Sequence, residues 1–118
     1  NTQILIGEII GTFILIMFGC GSISLAINFE ILDSLYQVAL FWTAGVTIGI
    51  YASKKLSGAH INPCFSIATL INKEINFIQF LTYISAQLIG AILAAISLYL
   101  ITRHKISSYS YYNNYCTY

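Results

Sequence analysis

The segment Ser57-Gly58-Ala59-His60-Ile61-Asn62-Pro63-Cys64 gathers the residues best suited to handling a solute. Asparagine is a strong helix N-cap, and proline suits the first helical turn because its missing N–H would have no partner there. Asn62-Pro63 therefore predicts a helix that starts at Asn62. Proline also pushes the residue before it out of the helical region, so Gly58-Ala59-His60-Ile61 is expected to run extended and expose its backbone carbonyls. At membrane depth such carbonyls are tolerated only where they line a water-filled cavity or are buried in protein. A helix that begins inside a membrane also aims its positive end at that cavity. Carbonyl acceptors beside a positive helix end suit neutral hydrogen-bonding solutes and repel cations. This is binding chemistry. The sequence holds no nucleophile–base pair, phosphate loop or paired carboxylates, and an enzyme reading has no support.

Further candidates stand outside that segment. Glu8 is the only charge in the first apolar run. An ionisable group inside a span is either functional or a brace, and a proton pathway centred on it is one reading. Trp42 lies 20 residues before Asn62, and an indole in a span also serves as an anchor at the membrane–water boundary. Cys64 follows Pro63, where a helix N-terminus favours the thiolate. The cysteines Cys20, Cys64 and Cys116 are odd in number, far apart and without a CxxC. They make neither a disulfide framework nor a metal site, and no cofactor is implied.

These residues need elements to position them, and the composition says which. Hydrophobic residues make up 58% of the 118, charged residues only 8%, and mean hydropathy is +0.79. A soluble domain carries about a quarter charged residues, so this chain is expected to face lipid. The net charge of +1 implies no nucleic-acid partner. The first span is placed at Ile4–Ile27, long enough at about 1.5 Å per residue to cross a bilayer core. The second is placed at Leu35–Ala52, the third at Phe77–Ile101. Lys54–Ile61 is expected to be a non-helical connection. Asn62–Ile71 is too short to span and reads as a re-entrant or interfacial piece. Small residues recur every fourth position at Gly7/Gly11, Gly45/Gly49 and Ala86/Gly90/Ala94, which predicts close helix–helix contact. Lysines 54, 55 and 73 on one side against Arg103 and Lys105 on the other weakly favour the half-helix side as cytoplasmic. The domain is set at 1–106, and 107–118 is a Tyr/Asn/Ser-rich tail expected to be disordered or interfacial.

Ser57-Gly58-Ala59-His60-x-Asn62-Pro63 resembles the first signature loop of the aquaporin, or major intrinsic protein, family. Glu8, Gly11 and Thr12 match its first-helix pattern E-x-x-G-T, and Gln87, Gly90 and Ala91 its third-helix Q-x-x-G-A. The resemblance covers about residues 7–102 and is strongest to the N-terminal half of the glycerol facilitators. It implies an all-α membrane protein with three transmembrane helices plus one re-entrant half-helix, half of an inverted repeat. It implies a passive channel for glycerol, other small neutral solutes or water, multi-pass in the cell membrane, within a homotetramer. Gly58, Ala59 and His60 would offer carbonyls, Asn62 its amide, and Pro63 and Cys64 would open the half-helix. Trp42 would stand at the selectivity constriction. Glu8 would brace the loop. His60 equally reads as a structural side chain. Cys64 departs from the family's usual alanine. The second half, with its own Asn-Pro half-helix and an arginine, is absent from this sequence. The chain is therefore read as a fragment, the alternatives being a structural membrane subunit and an antiparallel homodimeric half-channel.

Overall fold

A computed structural model describes residues 1–103, and the expected tail 107–118 lies outside the described residues. Four helices follow in order: α1 (Thr2–Asn28), α2 (Leu35–Ser57), α3 (Pro63–Ile71) and α4 (Phe77–Thr102). Three of them, α1, α2 and α4, are long and apolar enough to cross a membrane. α3, at 9 residues, is not. This is the expected three spans plus a half-helix.

The chain is inside-out relative to a water-soluble fold. The buried positions of α1 are Gly7, Glu8, Gly11, Thr12, Gly19, Ser22 and Ser24. Large apolar side chains such as Ile6, Leu40, Ile78, Leu88 and Ile92 point outward, where a hydrocarbon solvent accepts them. Without a hydrophobic force between helices in lipid, close backbone packing and polar contacts hold the bundle together.

α1 is the central element, packed against both α2 and α4, while α3 packs against α4. The small-residue positions make these contacts possible. A Cβ on Gly49 would lie 2.8 Å from the Gly11 carbonyl oxygen, and one on Gly90 would lie 2.6 Å from that of Ile9. α2 and α4 each begin with a capping box, built by Ser34 with Gln37 and by Asn76 with Gln79. These satisfy amides that a helix start leaves unpaired.

One boundary is corrected. α2 does not stop at Ala52; Lys54–Ser57 are helical, and only Gly58–Ile61 of the expected connection leave the helix. Hydropathy falls at Lys54, yet the helix continues because Ser53 and Ser57 still pack against α1 beneath Gly11 and Gly7. Lys54 and Lys55 suit the negative end of the dipole. Gly58, with φ of 82°, supplies the left-handed residue that ends it.

Gly90→Ala places a methyl group against α1 backbone that cannot rotate away. The expected loss is about 1–3 kcal/mol of stability, measured as a lowered midpoint of denaturant-induced unfolding in mixed micelles. An unchanged midpoint would mean that α1 and α4 are not in close backbone contact.

Candidate functional site

The site is built around Glu8, which is completely buried one helical turn before Thr12. A buried carboxylate needs donors for its lone pairs. Oε1 accepts from the Ser57 hydroxyl at 2.6 Å and from the His60 amide at 2.9 Å. Oε2 accepts from the Ile61 amide at 2.7 Å and from Gln87 Nε2 at 2.8 Å. One side chain of α1 thus joins the end of α2, the loop 58–61 and α4. Both of its oxygens are occupied by protein donors.

Loop 58–61 is not extended, as the sequence reading had it. Gly58, Ala59 and Ile61 have φ of 82°, 58° and 40°, all in the left-handed region. Asn62 is extended, at φ −151° and ψ 124°, as the following proline demands. Left-handed backbone is unfavourable for alanine and more so for a β-branched isoleucine, at of order 1–3 kcal/mol each. The coil aims the amides inward. Ala59 N–H donates to Ser57 Oγ, while His60 and Ile61 N–H donate to Glu8. Hydrogen bonds to a charged group, worth about 1.5–3 kcal/mol each, offset the strain. Ile61 is also anchored by its side chain, which sits in the notch above Gly11 and Gly49.

With the amides engaged inward, the carbonyl oxygens of Gly58, Ala59, His60 and Ile61 accept no hydrogen bond from the described residues. The strip ends at Asn62, whose Oδ1 accepts from the Cys64 amide at 2.8 Å. That cap fixes the side-chain orientation and leaves Nδ2, at the N-terminus of α3, without a partner among the described residues. Asn62 and Ile61 stand where two open-sided cavities meet. One, of about 290 Å³, is bounded by Leu15, Val46, Ile50, Ala59, His60 and Phe65. The other, of about 310 Å³, lies against α1 and α4.

The remaining candidates divide. The His60 ring stacks on Tyr83 at 3.8 Å, meets Phe65 edge-on, and its Nδ1 is 3.1 Å from Ser66 Oγ. Its side chain is therefore a packing element beneath the loop. Pro63 and Cys64 open α3, and the Cys64 thiol is exposed. Trp42 is apart from the loop. Its half-buried indole lies on the backbone of Gly19, where a Cβ would come within 2.5 Å of the ring. It shares a face of α2 with Val46 and Ile50, four and eight residues on.

Sequence reasoning missed the inner ring of supports. Tyr83 donates its hydroxyl to the Ser57 carbonyl, and Gln87 Nε2 also reaches Ser66 Oγ at 3.1 Å. The signal was present: Tyr83 and Gln87 are hydrogen-bonding side chains four apart in an otherwise apolar span, hence on one face.

A family model described as major intrinsic protein matches residues 1–117. The chain is 43% identical over 99 residues to aquaporin NIP3-1 of Arabidopsis thaliana, covering 84% of this chain and 31% of that protein. It is 37% identical over 97 residues to the glycerol uptake facilitator protein of Bacillus subtilis, covering 80% and 35%. It is 33% identical over 109 residues to the glycerol uptake facilitator protein of Haemophilus influenzae, covering 92% and 41%. The chain thus spans between 31% and 41% of the length of these relatives.

Glu8→Gln keeps size and shape but turns one acceptor into a donor that faces donors. At least one charge-assisted bond is lost, so amide exchange at His60 and Ile61 in the lipid-reconstituted protein should accelerate roughly 10- to 100-fold. Unchanged exchange would show that the loop holds its coil without the carboxylate.

Proposed function

The chain belongs to the major intrinsic protein family, and from that premise we propose that it builds one half of a passive channel for glycerol, other small neutral solutes and water across the cell membrane. The observation that carries this reading is the one-sidedness of loop 58–61. The Gly58 amide closes α2 on Lys54, the amides of Ala59, His60 and Ile61 are taken up by Ser57 and Glu8, and the loop's carbonyls and Asn62 Nδ2 have no partner among the described residues.

A hydroxyl needs an acceptor for its proton and a donor for its lone pair. The carbonyls of Gly58, Ala59, His60 and Ile61 form a ladder of acceptors, and Asn62 Nδ2 is the donor at its end. A neutral solute passes along the ladder by exchanging equivalent partners, which keeps each step shallow. Leu15, Val46, Ile50 and Phe65 line the same cavity and give a carbon backbone an apolar wall. The positive end of α3 opposes cations at Asn62. Trp42, farther along the α2 face that carries Val46 and Ile50, narrows the path at a constriction. Its flat ring suits a polyol backbone. The word glycerol in the names of two relatives supports the same permeant class. Pro63 and Cys64 form the start of α3 at the path's centre, and Glu8 serves as brace rather than proton carrier. No cofactor and no catalytic step are needed.

A ladder on one wall encloses nothing. In this reading an inverted facing half closes the path, either from a longer polypeptide, as the greater length of the relatives suggests, or from an antiparallel second copy. Four such channels assemble as a homotetramer.

Stopped-flow flux in proteoliposomes tests the reading. The gene product containing this chain should pass water and glycerol, and Asn62→Asp should lower glycerol flux and admit cations. Unchanged glycerol flux with cations still excluded would remove Asn62 from the path. Trp42→Ala should reduce discrimination against polyols larger than glycerol, and if every flux stays the same Trp42 is only a packing residue. Residues 1–118 alone should give background permeability, because unpaired carbonyls facing hydrocarbon cost several kcal/mol each.

A further inference from the structure

Threonines inside membrane helices commonly donate back to the carbonyl one turn earlier. Thr43, Thr47, Thr69, Thr82 and Thr102 all do so here, to Ala39, Thr43, Phe65, Ile78 and Leu98. Thr12 does not. Its hydroxyl is buried, the residue being only 5% exposed, and has no protein partner among the described residues. The other buried side-chain polar atom in this position is Gln87 Oε1, on a residue 3% exposed.

Both residues line the same cavity of about 310 Å³, together with Asn62 and apolar side chains from α1 and α4. The Gln87 amide cannot be turned to hide its oxygen. Nε2 donates to the Glu8 carboxylate and to Ser66 Oγ, so a flip would set oxygen against carboxylate. Oε1 is therefore a fixed acceptor. The Thr12 hydroxyl both donates and accepts, and Asn62 Nδ2 donates. A buried polar atom without a partner costs about 1–3 kcal/mol, which an ordered water with two or more polar partners offsets.

We propose that Thr12 and Gln87 form a binding site for an ordered water, lying beside Asn62 against α1 and α4 and separate from the cavity lined by Val46, Ile50 and His60. The water donates to Gln87 Oε1 and hydrogen-bonds the Thr12 hydroxyl. It holds the Gln87 amide in the orientation that Glu8 requires, and so links the loop's brace to the cavity at Asn62. The site is independent of which solute permeates and of whether the chain conducts.

Water-edited solid-state NMR tests it, on the lipid-reconstituted protein carrying labelled threonine and glutamine. Transfer from water to Thr12 and to the Gln87 carboxamide should be at least about threefold faster than to Thr69, which is also buried but bonded to its own helix. Thr12→Val, of the same shape but without the hydroxyl, should slow transfer to Gln87 about twofold or more. Thr12→Ser should preserve it. Transfer to Thr12 and Gln87 no faster than to Thr69 would mean a dry cavity and overturn the proposal. Transfer to Gln87 unaffected by Thr12→Val would overturn the pairing of the two residues. If Thr12→Val fails to assemble, the comparison of the unaltered protein with Thr12→Ser decides. Slow transfer to Gln87 in both then rejects the site.

Discussion

A single carboxylate with two oxygens and four donors holds the functional end of this molecule in shape. Glu8 is completely buried, yet its charge is met by a hydroxyl, two backbone amides and a carboxamide drawn from three separate parts of the chain. The low dielectric of a membrane interior makes an unmet charge there very costly and a fully met one strongly directional. Breaking any one of these contacts leaves the remaining groups with a buried, uncompensated polar atom. The arrangement therefore behaves as a unit.

The rest of the bundle serves that unit by bringing backbones close. Small residues at 11, 49 and 90 allow α1 to lie against both neighbours, so that one side chain of α1 reaches the end of α2 and the middle of α4. Ile61 uses the same notch from the loop side. Its side chain fills the space above Gly11 and Gly49, and its amide meets Glu8. Packing and hydrogen bonding thus fix one strained residue from opposite ends. That strain accompanies the inward turn of the amides of 59–61, while the loop's carbonyls have no partner among the described residues.

Much of this was legible in the sequence, and the reasons differ by residue. The start of α3 follows from Asn62-Pro63 because capping and proline sterics are local. The spans follow from hydropathy, and the close contacts from small residues at fourfold spacing. Glu8 stood out as the lone charge of its span, but its four donors were not readable from the sequence. The end of α2 was misplaced because hydropathy marks where lipid ends, not where backbone hydrogen bonding ends; Lys54, Lys55 and Gly58 are the better terminator signal. The coil of 58–61 was not legible, since alanine and isoleucine do not advertise left-handed backbone. It exists only because a residue some 50 positions away accepts its amides. Tyr83 and Gln87 were visible as polar residues on one face of an apolar span, but their partners, like those of Ser66, are set by tertiary placement.

The separation of these partners along the chain also orders events in time. Glu8 and Ser57 are 49 residues apart, but Glu8 and Gln87 are 79 apart. A ribosome delivers α1 and α2 first, then the loop, then α3, and α4 last. Until α4 emerges, α3 has no helix to pack against, the Ser57 carbonyl lacks Tyr83, and Glu8 lacks its fourth donor. The contacts that hold α3 and complete the set around Glu8 can therefore form only after the last span has been made.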